Sequence, residues 1–200
     1  KQIFWFECLH RVLGRFIGLM YFVPFVVFAL RRMIAPQLLP TLVLLLILGG
    51  AQGLLGWYMV QSGLVDRPSV SQYRLTAHLG VAVAIYALMM WVLLRVGAGL
   101  SPALKHIGLP GGVLLIGVYT LILSGGFMAG TDAGFAYPTW PLMGETFVRA
   151  GYYAQGWQAT FEGVATIHFN HRMLAYAVAL LVIFFSVQTM RTGDSARVRR

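Results

Sequence analysis

The sequence predicts an all-α, polytopic membrane bundle with five transmembrane helices. Three observations predict it. Hydrophobic residues make up 58% of the chain and charged residues 10%, against about 25% charged in an ordinary soluble domain. Too few polar side chains remain to face water, so lipid is the expected solvent. Five apolar runs each reach the roughly 20 residues that a helix needs to cross a bilayer. None of them sustains a period-two alternation, which excludes barrel strands.

The first run covers roughly 4 to 30 and crowds its polar residues, Glu7-Cys8-Leu9-His10-Arg11-Val12-Leu13-Gly14-Arg15, into the first three turns. The second covers roughly 38 to 60, the third 73 to 94, the fourth 109 to 129 and the fifth 163 to 189. Between the last two lies a connection of about 30 residues, long for a segment without chemistry. Its aromatics and prolines, as in Tyr137-Pro138-Thr139-Trp140-Pro141, suggest an interfacial cap rather than a flexible linker.

Basic residues orient the spans. Arg31, Arg32, Arg95, Lys105, Arg191, Arg197, Arg199 and Arg200 fall on one side; Lys1, Arg67, Arg74 and Arg149 fall on the other. By the positive-inside rule the first side is cytoplasmic, or the matrix of a mitochondrion. The net charge of +9 is scattered between apolar runs, which fits an anionic leaflet and not the continuous basic stripe of a nucleic-acid interface. Cys8 is the only cysteine, so an intrachain disulfide and a multi-cysteine metal site are excluded. With Lys at position 1 and an apolar helix following at once, the chain is expected to start inside a larger protein.

His10, His78 and His171 then stand at similar depth near the outer ends of three different helices. An ionisable residue within a span is by default a functional-site hypothesis, and two imidazoles from separate helices can grip haem iron from opposite faces. His10 and His78 suit such a pair; the plainer alternative is that each histidine hydrogen-bonds a neighbouring helix. Arg11, Arg15, Arg74 and Arg172 sit where haem propionates would reach the interface, and arginine pairs carboxylates through two parallel bonds; snorkelling to headgroups is the alternative. Glu7 shares a helix face with His10 and stands four residues before Arg11. It could orient an imidazole, relay protons, stabilise a developing cation, or pair with Arg11. His168, three residues before His171, is read mainly as a neighbour rather than a ligand, and His106 as a solvated loop residue. Gly14/Gly18, Gly49/Gly53 and Gly126/Gly130 carry the four-residue spacing that permits close helix contact, and they could also admit a flat porphyrin.

His10-Arg11 resembles His171-Arg172. If the two helices correspond, the chain is part of an eight-helix protein built from two four-helix halves. Residues 1–95 supply three helices of the first half, 96–108 an inner loop, and 109–200 two helices and the outer loop of the second.

Taken together, Glu7-x-x-His10-Arg11-x-x-Gly14-Arg15-x-Ile17-Gly18, Gly49-Gly50-x-Gln52-Gly53-x-x-Gly56-Trp57-x-Met59-Val60-x-Ser62-Gly63-Leu64, Arg74-Leu75-x-x-His78-Leu79, Gly125-Gly126-x-x-Ala129-Gly130-x-Asp132-Ala133-Gly134, Pro141-Leu142-Met143 and His171-Arg172 resemble the haem A synthase family, in its mitochondrial and alphaproteobacterial form. The form with an outer-loop cysteine pair is excluded by the single cysteine. The resemblance covers nearly the whole chain and implies helices two to six of eight. It implies an enzyme that oxidises the position-8 methyl group of haem O to a formyl group, giving haem A for cytochrome oxidase. Glu7 would be the essential acid, His10 and His78 would flank the substrate haem, and His171 would be an axial ligand of a haem b cofactor. The implied setting is a bacterial plasma membrane or mitochondrial inner membrane, with haem sites toward the periplasmic or intermembrane side. The implied partners are lipid, haem O, haem O synthase, an electron donor of unspecified identity and further copies of the chain. The competing reading is a di-haem b electron-transfer cytochrome that leaves its haem unaltered.

Overall fold

A computed structural model describes residues 2–63, 70–97 and 108–198, with side chains described over 5–59, 70–96 and 108–191. Lys1, Arg67, Lys105, His106, Arg199 and Arg200 lie outside the described residues. The long helices are α1 (Gln2–Leu30), α2 (Leu39–Gly63), α3 (Gln72–Gly97), α4 (Gly108–Gly130) and α7 (Val164–Val198). Two short helices, α5 (Ala133–Ala136) and α6 (Ala159–Glu162), lie in the connection between α4 and α7. Each long helix contains a stretch apolar and long enough to cross a membrane: Trp5–Leu30, Leu39–Met59, Gln72–Val96, Gly108–Gly130 and Val164–Arg191. All five expected spans are present within a few residues of their expected bounds, and the described residues contain no strand, only an isolated bridge between Met143 and Thr146. Large apolar side chains such as Phe16, Ile17, Leu54, Ile116 and Leu180 are exposed. On a water-soluble surface such coverage would be costly, whereas in lipid it is the expected face. The chain is an integral membrane protein.

Contacts divide the chain into two compact units. The first comprises Lys1–Tyr58 and Val81–Gly99, the second Met59–Gly80 and Leu100–Arg200. In the first unit α1 ends in a reciprocal cap. Met33 N–H donates to Phe28 and Arg32 N–H to Ala29, with Arg32 in the left-handed region at φ 54°. These bonds satisfy carbonyls that the helix end would otherwise orphan, a job usually given to glycine. Tyr21 then ties α1 to α2, its hydroxyl donating to the Leu42 carbonyl across 2.8 Å.

In the second unit the N-terminal end of α3 lies against α4 through small residues. A Cβ on Gly130 would come within 2.6 Å of the Gln72 Cα, and one on Gly126 within 2.7 Å of Thr76 Oγ1 and 3.1 Å of its Cα. Gly80 returns the contact one turn on, where a Cβ would meet Leu123 at 2.9 Å. Residues 72, 76 and 80 thus form one stripe of α3, at the four-residue period of a helix face. The close approach expected for Gly126/Gly130 is realised here. Gly14, Gly18, Gly49 and Gly53 meet nothing within 4 Å.

The connection from α4 to α7 is folded. Asp132 turns the chain out of α4 at φ 54°, a conformation that aspartate tolerates better than most side chains. Ala133, Met143, Ala159, Thr166, Ile167 and His168 are all buried, so the best-packed part of the described chain is this connection and the first turns of α7. Its far end is tied to α3: Tyr73 donates to the Glu162 carboxylate across 2.9 Å, and Tyr73, Phe127 and Phe161 form an aromatic cluster.

Candidate functional site

The second turn of α7 is built around His171. Its Nδ1 lies 2.7 Å from Ser124 Oγ on α4, and the same hydroxyl lies 2.8 Å from the Leu121 carbonyl. Gly125 follows Ser124 and brings α4 alongside the ring; a Cβ there would stand 3.6 Å from His171 Cε1. A polar pair of this kind is held together because neither partner finds water in a hydrocarbon setting.

His168 makes a different contact. It is buried, with Nδ1 2.8 Å from the Ala133 carbonyl and its ring edge-on to Tyr137 at 5.5 Å. A carbonyl only accepts, so Nδ1 carries the proton. This histidine fastens α5 to α7, in keeping with its reading as a neighbour.

Arg172 reaches the same connection. One Nη donates to the Leu142 carbonyl, and the other to the carbonyls of Tyr137 and Thr139. One turn further, Tyr176 accepts from the Trp140 indole N–H across 2.6 Å. Residues 168, 172 and 176 are spaced by four, so one stripe of α7 holds segment 133–142 at three points. Arg172 has five N–H groups, and these contacts leave others for a further partner. On the next face, Asn170 accepts from Tyr152 and donates to Tyr153. Hydrogen bonds with Thr160 and Asn170 hold the Tyr153 phenol below its ordinary range.

The remaining candidates divide between the units. Glu7, His10, Arg11 and Arg15 lie on α1 in the first unit and are exposed. Glu7 and Arg11 form the four-residue ion pair at 3.5 Å. Arg74 and His78 lie on α3 in the second unit, one turn apart and each partly buried. Among the described residues no three His, Cys, Asp or Glu side chains gather in a way that could hold a bare metal ion. Ser124 was not among the sequence candidates. Its signal was the one serine of an apolar run, next to Gly125-Gly126.

These features define a polytopic membrane helical protein with single imidazoles set at the ends of its spans. The sequence profile of the cytochrome oxidase assembly protein family (COX15-CtaA) matches residues 1–200, and the chain belongs to that family. It is 44% identical over 187 residues to a haem A synthase of Parvibaculum lavamentivorans, covering 92% of this chain and 54% of that protein. It is 46% identical over 206 residues to that of Nitrosospira multiformis, covering 100% and 58%. It is 43% identical over 208 residues to that of Rhodospirillum centenum, covering 100% and 54%. The chain thus spans about half the length of the curated relatives it matches. No solved structure matches it.

Proposed function

We propose that this chain belongs to a haem A synthase, which oxidises the position-8 methyl group of haem O to a formyl group. The observation that carries this reading is identity above 40% to proteins named haem A synthase, over nearly the whole chain. Residues 1–95 belong to the half that takes substrate haem O, with His10 and His78 as its iron ligands on the family pattern. Residues 109–200 belong to the half that holds haem b, with His171 as one axial ligand. The donor chemistry fits: His171 engages protein through Nδ1 alone among its described bonds, which leaves Nε2 as the coordinating atom.

Bound haem would supply the redox chemistry that a methyl C–H bond demands. The chain's own residues bind, orient and handle protons. Arg11, Arg15 and Arg74 clamp propionates at the interface, and Arg172 joins them through N–H groups it does not use on the loop carbonyls. Glu7, held beside Arg11, is the acid of this half, accepting protons or stabilising positive charge. The excess of basic residues on the opposite side directs both sites to the periplasmic or intermembrane face. Haem O synthase, lipid and further copies of the chain are the proposed partners.

The test is pigment extraction from the full-length protein expressed with a supply of haem O. Haem A, or its hydroxylated precursor, is the expected product. Recovery of haem b alone would identify an electron-transfer cytochrome instead.

A further inference from the structure

We infer that Ser124 is a positioning residue for His171, setting which ring nitrogen faces the iron. The inference rests on the reading of His171 as an axial ligand. Ser124 has one hydroxyl hydrogen and two neighbours, the Leu121 carbonyl at 2.8 Å and His171 Nδ1 at 2.7 Å. The carbonyl can only accept, so the hydroxyl proton goes to Leu121. The serine oxygen then accepts from His171, and the proton of that bond is on Nδ1. A neutral imidazole carries one N–H, so Nε2 keeps its lone pair. The relay runs from His171 Nδ1–H to Ser124 and from Ser124 to the Leu121 carbonyl, and it presents Nε2 for coordination.

The opposite polarity would have Ser124 donate to Nδ1. That would put the ring proton on Nε2 and block the ligand atom. The Leu121 contact works against it, since it needs the same hydrogen. Gly125 completes the device. At 3.6 Å from Cε1 a methyl group makes ordinary contact, so alanine fits there, whereas a long branched chain would press on the carbon between the two nitrogens.

A serine oxygen is a weaker acceptor than a carboxylate, so it lends the ring modest imidazolate character. Its removal makes the ring a poorer donor to ferric iron. The experiment uses full-length protein with Ser124→Ala, Ser124→Thr and His171→Ala, reading haem b content, the low-spin ferric resonance spectrum and the midpoint potential. Ser124→Ala is expected to raise the haem b potential and shift the ferric spectrum, and Ser124→Thr to restore both. If Ser124→Ala loses haem b outright, recovery by Ser124→Thr sustains the proposal, and failure to recover overturns it. An Ala variant identical to wild type in potential and spectrum also overturns it. His171→Ala with undiminished haem b would instead remove the ligand assignment on which the proposal stands.

Discussion

Arg172 donates from Nη2 to the carbonyl of Tyr137 across 3.0 Å, joining positions 35 apart in sequence. With the bonds to Thr139 and Leu142 it makes one guanidinium the hub of segment 137–142. Arg172→Lys keeps the charge but not the fork, because an ammonium on a flexible stem cannot reproduce a planar donor set. Loss of charged hydrogen bonds at a partly exposed site is expected to cost about 1–3 kcal/mol locally. Amide exchange over residues 133–142 checks it, with both Arg172→Lys and Arg172→Ala losing protection. Unchanged exchange in the alanine variant would show that Arg172 does not hold the segment.

Gly130→Ala should destabilise more than Gly126→Ala. The added methyl meets the Gln72 backbone at 2.6 Å in the first case and chiefly the Thr76 hydroxyl in the second. A side chain rotates away more cheaply than a helix moves, and overpacking of this kind costs about 1–3 kcal/mol. Gly14→Ala, which meets nothing within 4 Å, serves as the control. Detergent unfolding of the three variants gives the ranking; equal midpoints would refute the close contact of α3 and α4.

His168 and His171 separate by function on mutation. His168→Ala strands the Ala133 carbonyl and opens a small cavity, for a loss of about 2–4 kcal/mol, while haem b content persists. His171→Ala is expected to lose haem b. Haem extraction together with thermal unfolding distinguishes them, and a His168→Ala variant that folds normally yet lacks haem b would reverse the assignment.

Glu7→Gln is expected to leave haem bound and to abolish haem A formation. Its pair with Arg11 is exposed, so stability should move by less than about 1 kcal/mol. Chromatography of extracted haems reads the product. Haem A at wild-type levels would remove Glu7 from the chemistry.

The spans were legible because lipid imposes a length and a composition on any helix that crosses it. The roles of the small residues were legible only in part. Gly14/Gly18 and Gly126/Gly130 have the same spacing, yet only the second pair meets a neighbour, because spacing says how close a helix can come and not which helix comes. The grip of Arg172 left no trace in sequence, since its partners are backbone carbonyls that every residue possesses. Ser124 left a faint one. A hydroxyl in an apolar run demands a partner, but the Leu121 carbonyl already offers one nearby, and His171 lies 47 positions away.

The stripe of His168, Arg172 and Tyr176 has a mechanical consequence. The same helix carries segment 133–142 and, one position from Arg172, the imidazole of His171. Any tilt or axial turn of α7 transports both as one body. Only release of those three contacts lets the segment move independently of the helix.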